Sequence, residues 1–222
     1  MQSENAVLSS RQYQLPNTLG DRTQTFGLPL EEALRRRSIE LEIGCGVGWH
    51  PIEVAKLLEN DQALIAIERT SNKFAAFQRR LQNHPHLQDV LSAVHADAFH
   101  FIATSVPSAS LDKIWMLYPN PEIKRPNNRW YLSPGFRRAL QALRIGGVFH
   151  FATNIADYAH AGEAQAKSLG LSLQEARLIQ KSQLNQQSNQ APFSPRTHFE
   201  KKYYERGETL FDYVFQKTSE VS

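Results

Sequence analysis

Ser38-Ile39-Glu40-Leu41-Glu42-Ile43-Gly44-Cys45-Gly46-Val47-Gly48-Trp49-His50-Pro51 is the stretch on which the reading of the fold turns. Its first six residues alternate between apolar or small and acidic, the period-2 signature of a strand, and the strand runs straight into three glycines at every second position. Glycine lets the backbone turn sharply, and without a Cβ its N–H can approach a ligand that another residue would hold off. Pro51 then signals a helix, because its ring is pre-set for helical φ and its missing N–H is not needed in the first turn. A second apolar run, Ala63 to Ile67, ends in Glu68, twenty positions past Gly48, where a carboxylate can accept hydrogen bonds from both hydroxyls of a ribose. The dinucleotide fingerprint G-x-G-x-x-G wants glycine at position 49, which is Trp49, so NAD is disfavoured.

Outward from this unit, apolar runs and amphipathic stretches alternate. Strands are predicted over 38–43, 63–68, 91–96, 111–118, 147–153, 171–179 and 208–215. Helical spacing falls between them, with Ser71, Asp97 and Ser133 as start signals. This alternation predicts an α/β fold, an open and mostly parallel sheet with helices on both faces, whose ligands bind at the carboxyl ends of the strands. Residues 1–29 read as a polar N-terminal arm, ending near a helical LPLEEALRRR, and 30–218 as the folded domain. Within it, 180–196 is rich in Gln, Asn, Ser and Pro, too polar for a core, and reads as a mobile surface loop.

Composition narrows the function classes. With 41% hydrophobic and 21% charged residues the chain is globular rather than disordered, collagen-like or coiled-coil. A net charge of +3 permits an anionic partner without demanding one, so a nucleic-acid reading must rest on local patches. Cys45 is the single cysteine, which excludes an intramolecular disulfide or a Cys-rich zinc site and fits a reducing compartment. No 18 apolar residues run together, and the opening MQSENAVLSSRQYQ lacks the basic and apolar regions of a secretory signal. A cytoplasmic protein with no membrane partner is expected, either monomer or homodimer. No His, Cys or carboxylate set has metal-ligand spacing.

The pattern Glu42-x-Gly44-x-Gly46-x-Gly48 resembles the first motif of class I S-adenosylmethionine-dependent methyltransferases. The resemblance implies a Rossmann-like, doubly wound sheet of seven strands, the last antiparallel, and S-adenosyl-L-methionine as cofactor. It implies cofactor contacts from Glu42, Gly44, Gly46, Gly48 and Glu68, with Asp97 and Ala98 against the adenine. Asp97 is equally a natural cap for the helix that starts there.

Leu117-Tyr118-Pro119-Asn120-Pro121-Glu122 closes the fourth strand, and the prolines hold Asn120 at the carboxyl edge of the sheet. After it come Lys124, Arg125 and Arg129, a helix from Ser133, Gly146-Gly147, Thr153-Asn154, and Thr197-His198-Phe199-Glu200. This ordered set, over roughly 38–216, resembles the tRNA (guanine-N7-)-methyltransferase family. The resemblance implies tRNA as partner, Asn120 as the catalytic position, and Asn120, Lys124, Arg125, Arg129, Asn154, Thr197 and Glu200 as substrate-binding residues. Asn120 and Asn154 replace two aspartates of the family pattern, and Glu122 replaces a tryptophan. Arg137 and Arg138 could extend the basic run along a phosphate backbone, with Trp130 and Tyr131 stacking on bases. Thr197-x-x-Glu200 also has the form of a helix capping box. Two alternatives stand beside the guanine reading: a methyltransferase for another amine or small molecule, and a catalytically silent RNA-binding protein.

Overall fold

The computed structural model describes residues 23–122, 124–125, 128–181 and 193–221. The arm at 1–22 and most of the expected 180–196 loop lie outside the described residues. Among the described residues, eight strands form one sheet: β1 (Gln24–Gly27), β2 (Ser38–Ile43), β3 (Gln62–Glu68), β4 (Leu91–His95), β5 (Leu111–Leu117), β6 (Leu143–Thr153), β7 (Leu171–Ile179) and β8 (Leu210–Lys217). Their spatial order is β1-β4-β3-β2-β5-β6-β8-β7. The central strands β4, β3, β2, β5 and β6 are parallel, whereas β8 runs antiparallel to β6 and to β7. Seven strands are expected from the sequence; the eighth, β1, lies in the stretch expected to be a polar arm and pairs antiparallel with β4, Gln24 opposite His95. Its four residues have no periodicity of their own to announce a strand, and the open edge of β4 makes it one.

The helices are α1 (Leu30–Ala33), α2 (Trp49–Ala55), α3 (Ser71–Gln82), α4 (Ala98–Ser105), α5 (Pro134–Ala142), α6 (Ala156–Ser168) and α7 (His198–Glu205). Alternation in β2 divides the core. Ile39, Leu41 and Ile43 join Phe101 of α4, Leu140 of α5 and Tyr158 of α6 on one face. On the other, Leu64, Ala66 and Ala93 meet Ile52 of α2 and Phe74, Phe77 and Leu81 of α3. Those three α3 side chains sit at i, i+3 and i+7, the spacing that buries one helical stripe. β3 is buried along nearly its whole length, as a central parallel strand covered on both faces must be. No helix among the described residues is long and apolar enough to cross a membrane.

From β2 the chain continues to β3 on one side, while β5 occupies the other. The crevice beyond the carboxyl ends of β2 and β5 is therefore the topological switch point, where open α/β sheets hold their ligands. The glycine turn and the 118–122 segment both open onto it.

Candidate active site

Gly44, Gly46 and Gly48 all have left-handed backbones, with φ of 73°, 62° and 81°. Their surroundings differ. A Cβ at Gly44 or Gly46 would meet nothing within 4 Å, whereas one at Gly48 would overlap the Phe77 ring. The first two glycines leave open space for a ligand. At Gly48, expected to contact the cofactor, the missing Cβ also lets the start of α2 pack against α3. Gly44 and Cys45 donate their N–H groups to the Ile67 carbonyl at 2.8 and 3.0 Å, locking the turn onto β3.

Glu68 closes the turn from the other side. Its carboxylate, 5% exposed, accepts the Gly46 N–H at 3.0 Å and the Thr70 N–H at 2.6 Å. A carboxylate has about four acceptor sites, so capacity for ribose hydroxyls remains. Cys45 is buried, and burial foremost, then the charges of Glu42 and Glu68, pushes its thiol well up, which makes it a space-filler rather than a nucleophile.

Glu42 departs from its expected role. It lies at an even position of β2 and so faces α2 rather than the crevice, where it is buried and pairs with His50 Nδ1 at 2.8 Å. The His50 ring in turn meets Trp115 edge-on, centroids 4.7 Å apart. Glu42 thus ties α2 to the sheet beneath the turn. Asp97 caps α4, its Oδ1 accepting from Phe99 N at 3.0 Å and His100 N at 3.2 Å, and Ala98 is the first residue of that helix. Asp97 nevertheless stands at the carboxyl end of β4 beside Glu68, where Ala96 N donates to Glu68 O at 3.3 Å.

At the end of β5, Tyr118 and Glu122 have left-handed backbones, φ 53° and 47°, although neither is glycine. Asn120 between them is exposed. Its Nδ2 donates to Glu122 Oε1 at 2.8 Å and its Oδ1 accepts from Glu122 N at 3.4 Å, so it acts as a clamp on Glu122. Arg129 latches the loop: Nε donates to Pro121 O at 3.1 Å, a guanidinium nitrogen to Tyr131 Oη at 3.3 Å, and the group lies 5.2 Å over the Tyr158 ring.

These contacts reduce the expected basic patch. Arg129 is engaged, and Arg138 donates to the Val106 carbonyl against the core. Lys124, Arg125 and Arg137 are exposed. The aromatic pair is reassigned too, since Tyr131 is buried and Trp130 stacks on Phe99 with centroids 3.9 Å apart.

Thr197 caps α7, its Oγ1 accepting from Glu200 N at 3.0 Å. The reciprocal half of a capping box is displaced by one residue: the Glu200 carboxylate takes the N–H of Arg196 rather than that of Thr197. Glu200 is fully buried, also accepts from Tyr118 Oη at 3.0 Å, and pairs with the Arg196 guanidinium. Arg196 reaches Asp212 at 3.2 Å and His150 Nε2 at 3.0 Å, while His150 and Asp212 meet at 2.7 Å. Burial works against the Arg196 charge, but Glu200 and Asp212 outweigh it and hold its pKa above the usual value. Asp212 shows the same contest: burial pushes the carboxyl up, and His150 and Arg196 bring it below the usual carboxylate range. Burial first, then Glu200, drives the Tyr118 phenol far up, so it remains a donor.

Thr197 and Glu200 are therefore brought to the base of the 119–122 loop. Asn154 is not; it donates to Glu208 at 2.6 Å at the carboxyl end of β6. Sequence reasoning missed Tyr118, His150, Arg196 and Asp212. The available signal was one polar residue each in the apolar runs Phe149-His150-Phe151 and Phe211-Asp212-Tyr213.

Residues 36–213 match a family model described as "Putative methyltransferase". The tRNA (guanine-N(7)-)-methyltransferase of Saccharophagus degradans is 29% identical over 195 residues, covering 86% of this chain and 80% of the relative. That of Klebsiella pneumoniae is 28% identical over 186 residues, covering 82% and 74%. Among solved structures, an antibiotic-related methyltransferase superimposes with a TM-score of 0.61 at 15% identity, over 87% of this chain and 96% of that one. The 16S rRNA methyltransferase KamB does so with a TM-score of 0.60 at 15% identity, over 85% and 92%. At such identities the structures share the fold. With a family match running from just before β2 into β8, around a glycine turn where a Cβ at Gly44 or Gly46 would meet open space, the chain belongs to this family of class I S-adenosylmethionine-dependent methyltransferases.

Proposed function

We propose that the protein transfers the methyl group of S-adenosylmethionine to N7 of a guanine in tRNA. The observation that carries this reading is that curated relatives of that name align over more than four-fifths of the chain. The residues at the switch point fit the cofactor. Gly44 and Gly46 leave open space where a Cβ would stand, Glu68 keeps acceptor capacity for the ribose, and Asp97 with the Ala98 N–H stands where the adenine belongs. S-adenosylmethionine, when bound, supplies an electrophilic methyl on a sulfonium that is already a good leaving group.

Guanine N7 carries a free lone pair and no proton, so no side chain of this chain needs to remove one. What remains is to hold the ring in line and keep water away, the contribution of positioning. The 119–122 loop can do this because β5 lies directly beside β2, Trp115 opposite Glu42, which sets the loop next to the glycine turn. Lys124 and Arg125, both exposed on the same loop, are free to meet phosphates. The reading places the enzyme in the cytoplasm with its substrate.

The test is nucleoside analysis by mass after tRNA is incubated with the protein and methyl-labelled cofactor. Label should appear in 7-methylguanosine. Label in another nucleoside, or transfer to a small amine with tRNA untouched, would replace this reading by the amine alternative.

A further inference from the structure

Guanine presents two adjacent donors, N1–H and the exocyclic N2–H, on the edge away from N7. A carboxylate accepts from both at once, whereas half of an amide is a donor and cannot. Position 120, held at the carboxyl edge of β5, carries an amide. The carboxylate at this edge belongs to Glu122.

Several observations mark Glu122. Its backbone is left-handed at φ 47°, a conformation that costs a non-glycine residue about 1–3 kcal/mol and persists where the surroundings impose it. The side chain turns back onto Asn120, which grips it through both the Oε1 contact at 2.8 Å and the N–H contact at 3.4 Å. Glu122 is half-buried, and Oε2 has no hydrogen-bond partner or ion pair among the described residues. Arg129 clips the intervening carbonyl of Pro121, so the strained turn is held from both ends.

We propose that Glu122 reads the guanine, accepting N1–H and N2–H through its carboxylate, with Asn120 as the positioning residue that holds it. The assignment rests on the guanine-N7 reading above and explains why an amide stands at 120. A carboxylate there would lie against Glu122 and expel it by like-charge repulsion; the amide instead donates to it. Each carboxylate oxygen has two acceptor sites, so the bond from Asn120 leaves Oε1 able to take a second donor.

The discriminating measurement is kcat/KM for a tRNA carrying guanine at the methylated position and for the same RNA carrying inosine there, which lacks the exocyclic amine but keeps N7. The wild type should prefer guanine by roughly 5- to 150-fold, the range for one unmade buried hydrogen bond. Glu122→Gln should lower turnover on guanine by about 10- to 100-fold and bring the guanine-to-inosine ratio close to one. Asn120→Asp should reduce the ratio as well, while both variants keep the cofactor affinity seen by calorimetry. A Glu122→Gln enzyme with the wild-type ratio would overturn the assignment and leave guanine methylation standing. A wild type that methylates no guanine in any RNA would overturn both.

Discussion

Gly46 and Gly48 stand two positions apart with the same left-handed backbone and opposite surroundings, and the difference separates two jobs that the motif spacing runs together. At Gly48 an added Cβ meets both an unfavourable φ and the Phe77 ring. Gly48→Ala should destabilise the protein by about 2–5 kcal/mol, the sum of left-handed strain and overpacking. At Gly46 the backbone penalty stands alone, roughly 1–2 kcal/mol, but the new methyl enters the ligand opening. Cofactor affinity in Gly46→Ala should therefore fall by more than its stability does. Thermal denaturation beside calorimetry checks this, and parallel losses of Tm and affinity in both variants would mean that neither glycine faces the ligand.

At the scale of the element, the loop from Pro119 to Leu132 divides its cations by task. Lys124 and Arg125 project outward, whereas Arg129 turns in to the Pro121 carbonyl and the Tyr158 ring. If the outward pair meets phosphate, replacing both by Ala should flatten the dependence of log K for tRNA on log salt by about 0.9 per lost contact. Arg129→Ala should leave that slope nearly unchanged and lower kcat, because the loop loses its latch. Titrations at several salt concentrations decide: an equal change of slope in Arg129→Ala would place its guanidinium on the RNA. α7 obeys a related logic, since its capping Thr197 and buried Glu200 fix the helix against the base of this loop through Tyr118.

Across the whole molecule, the chain Tyr118–Glu200–Arg196–Asp212–His150 joins β5, α7, β8 and β6 beneath the substrate loop. Buried ionic groups of this kind are strongly destabilising when one partner is removed, because the other is left uncompensated. Asp212→Asn should lower stability at pH 7 by about 3–5 kcal/mol. The pH dependence follows from the sign of the shift. Asp212 has a depressed pKa in the fold, so its contribution is fully present above the ordinary carboxylate value near 4 and is lost as pH falls through the lower folded value. The gap between wild type and Asp212→Asn in denaturant unfolding should thus be widest near neutrality and narrow below about pH 4. A gap independent of pH down to pH 2 would show that the Asp212 charge does not matter to the fold.

What could be read from the chain alone was what depends on neighbours within some twenty residues. The strands 38–43 and 171–179, the glycine turn, Glu68 after it, and the Asp97, Ser133 and Thr197 caps are all short-range: side-chain period, freedom of φ and a hydroxyl or carboxylate beside open N–H groups suffice to specify them. The partners of the buried polar groups were not legible, because Glu200 meets Tyr118 across 82 positions and Arg196 meets His150 across 46, and sheet order alone brings them together. Glu42 illustrates the same limit at close range. Motif spacing sends it to the ligand, but the two-residue period of β2 points it at α2 and His50. At Glu122 even a contact two residues away was hidden, since the left-handed turn that folds its carboxylate onto Asn120 runs against the local preference of glutamate and is imposed by a loop held at Pro121 by Arg129.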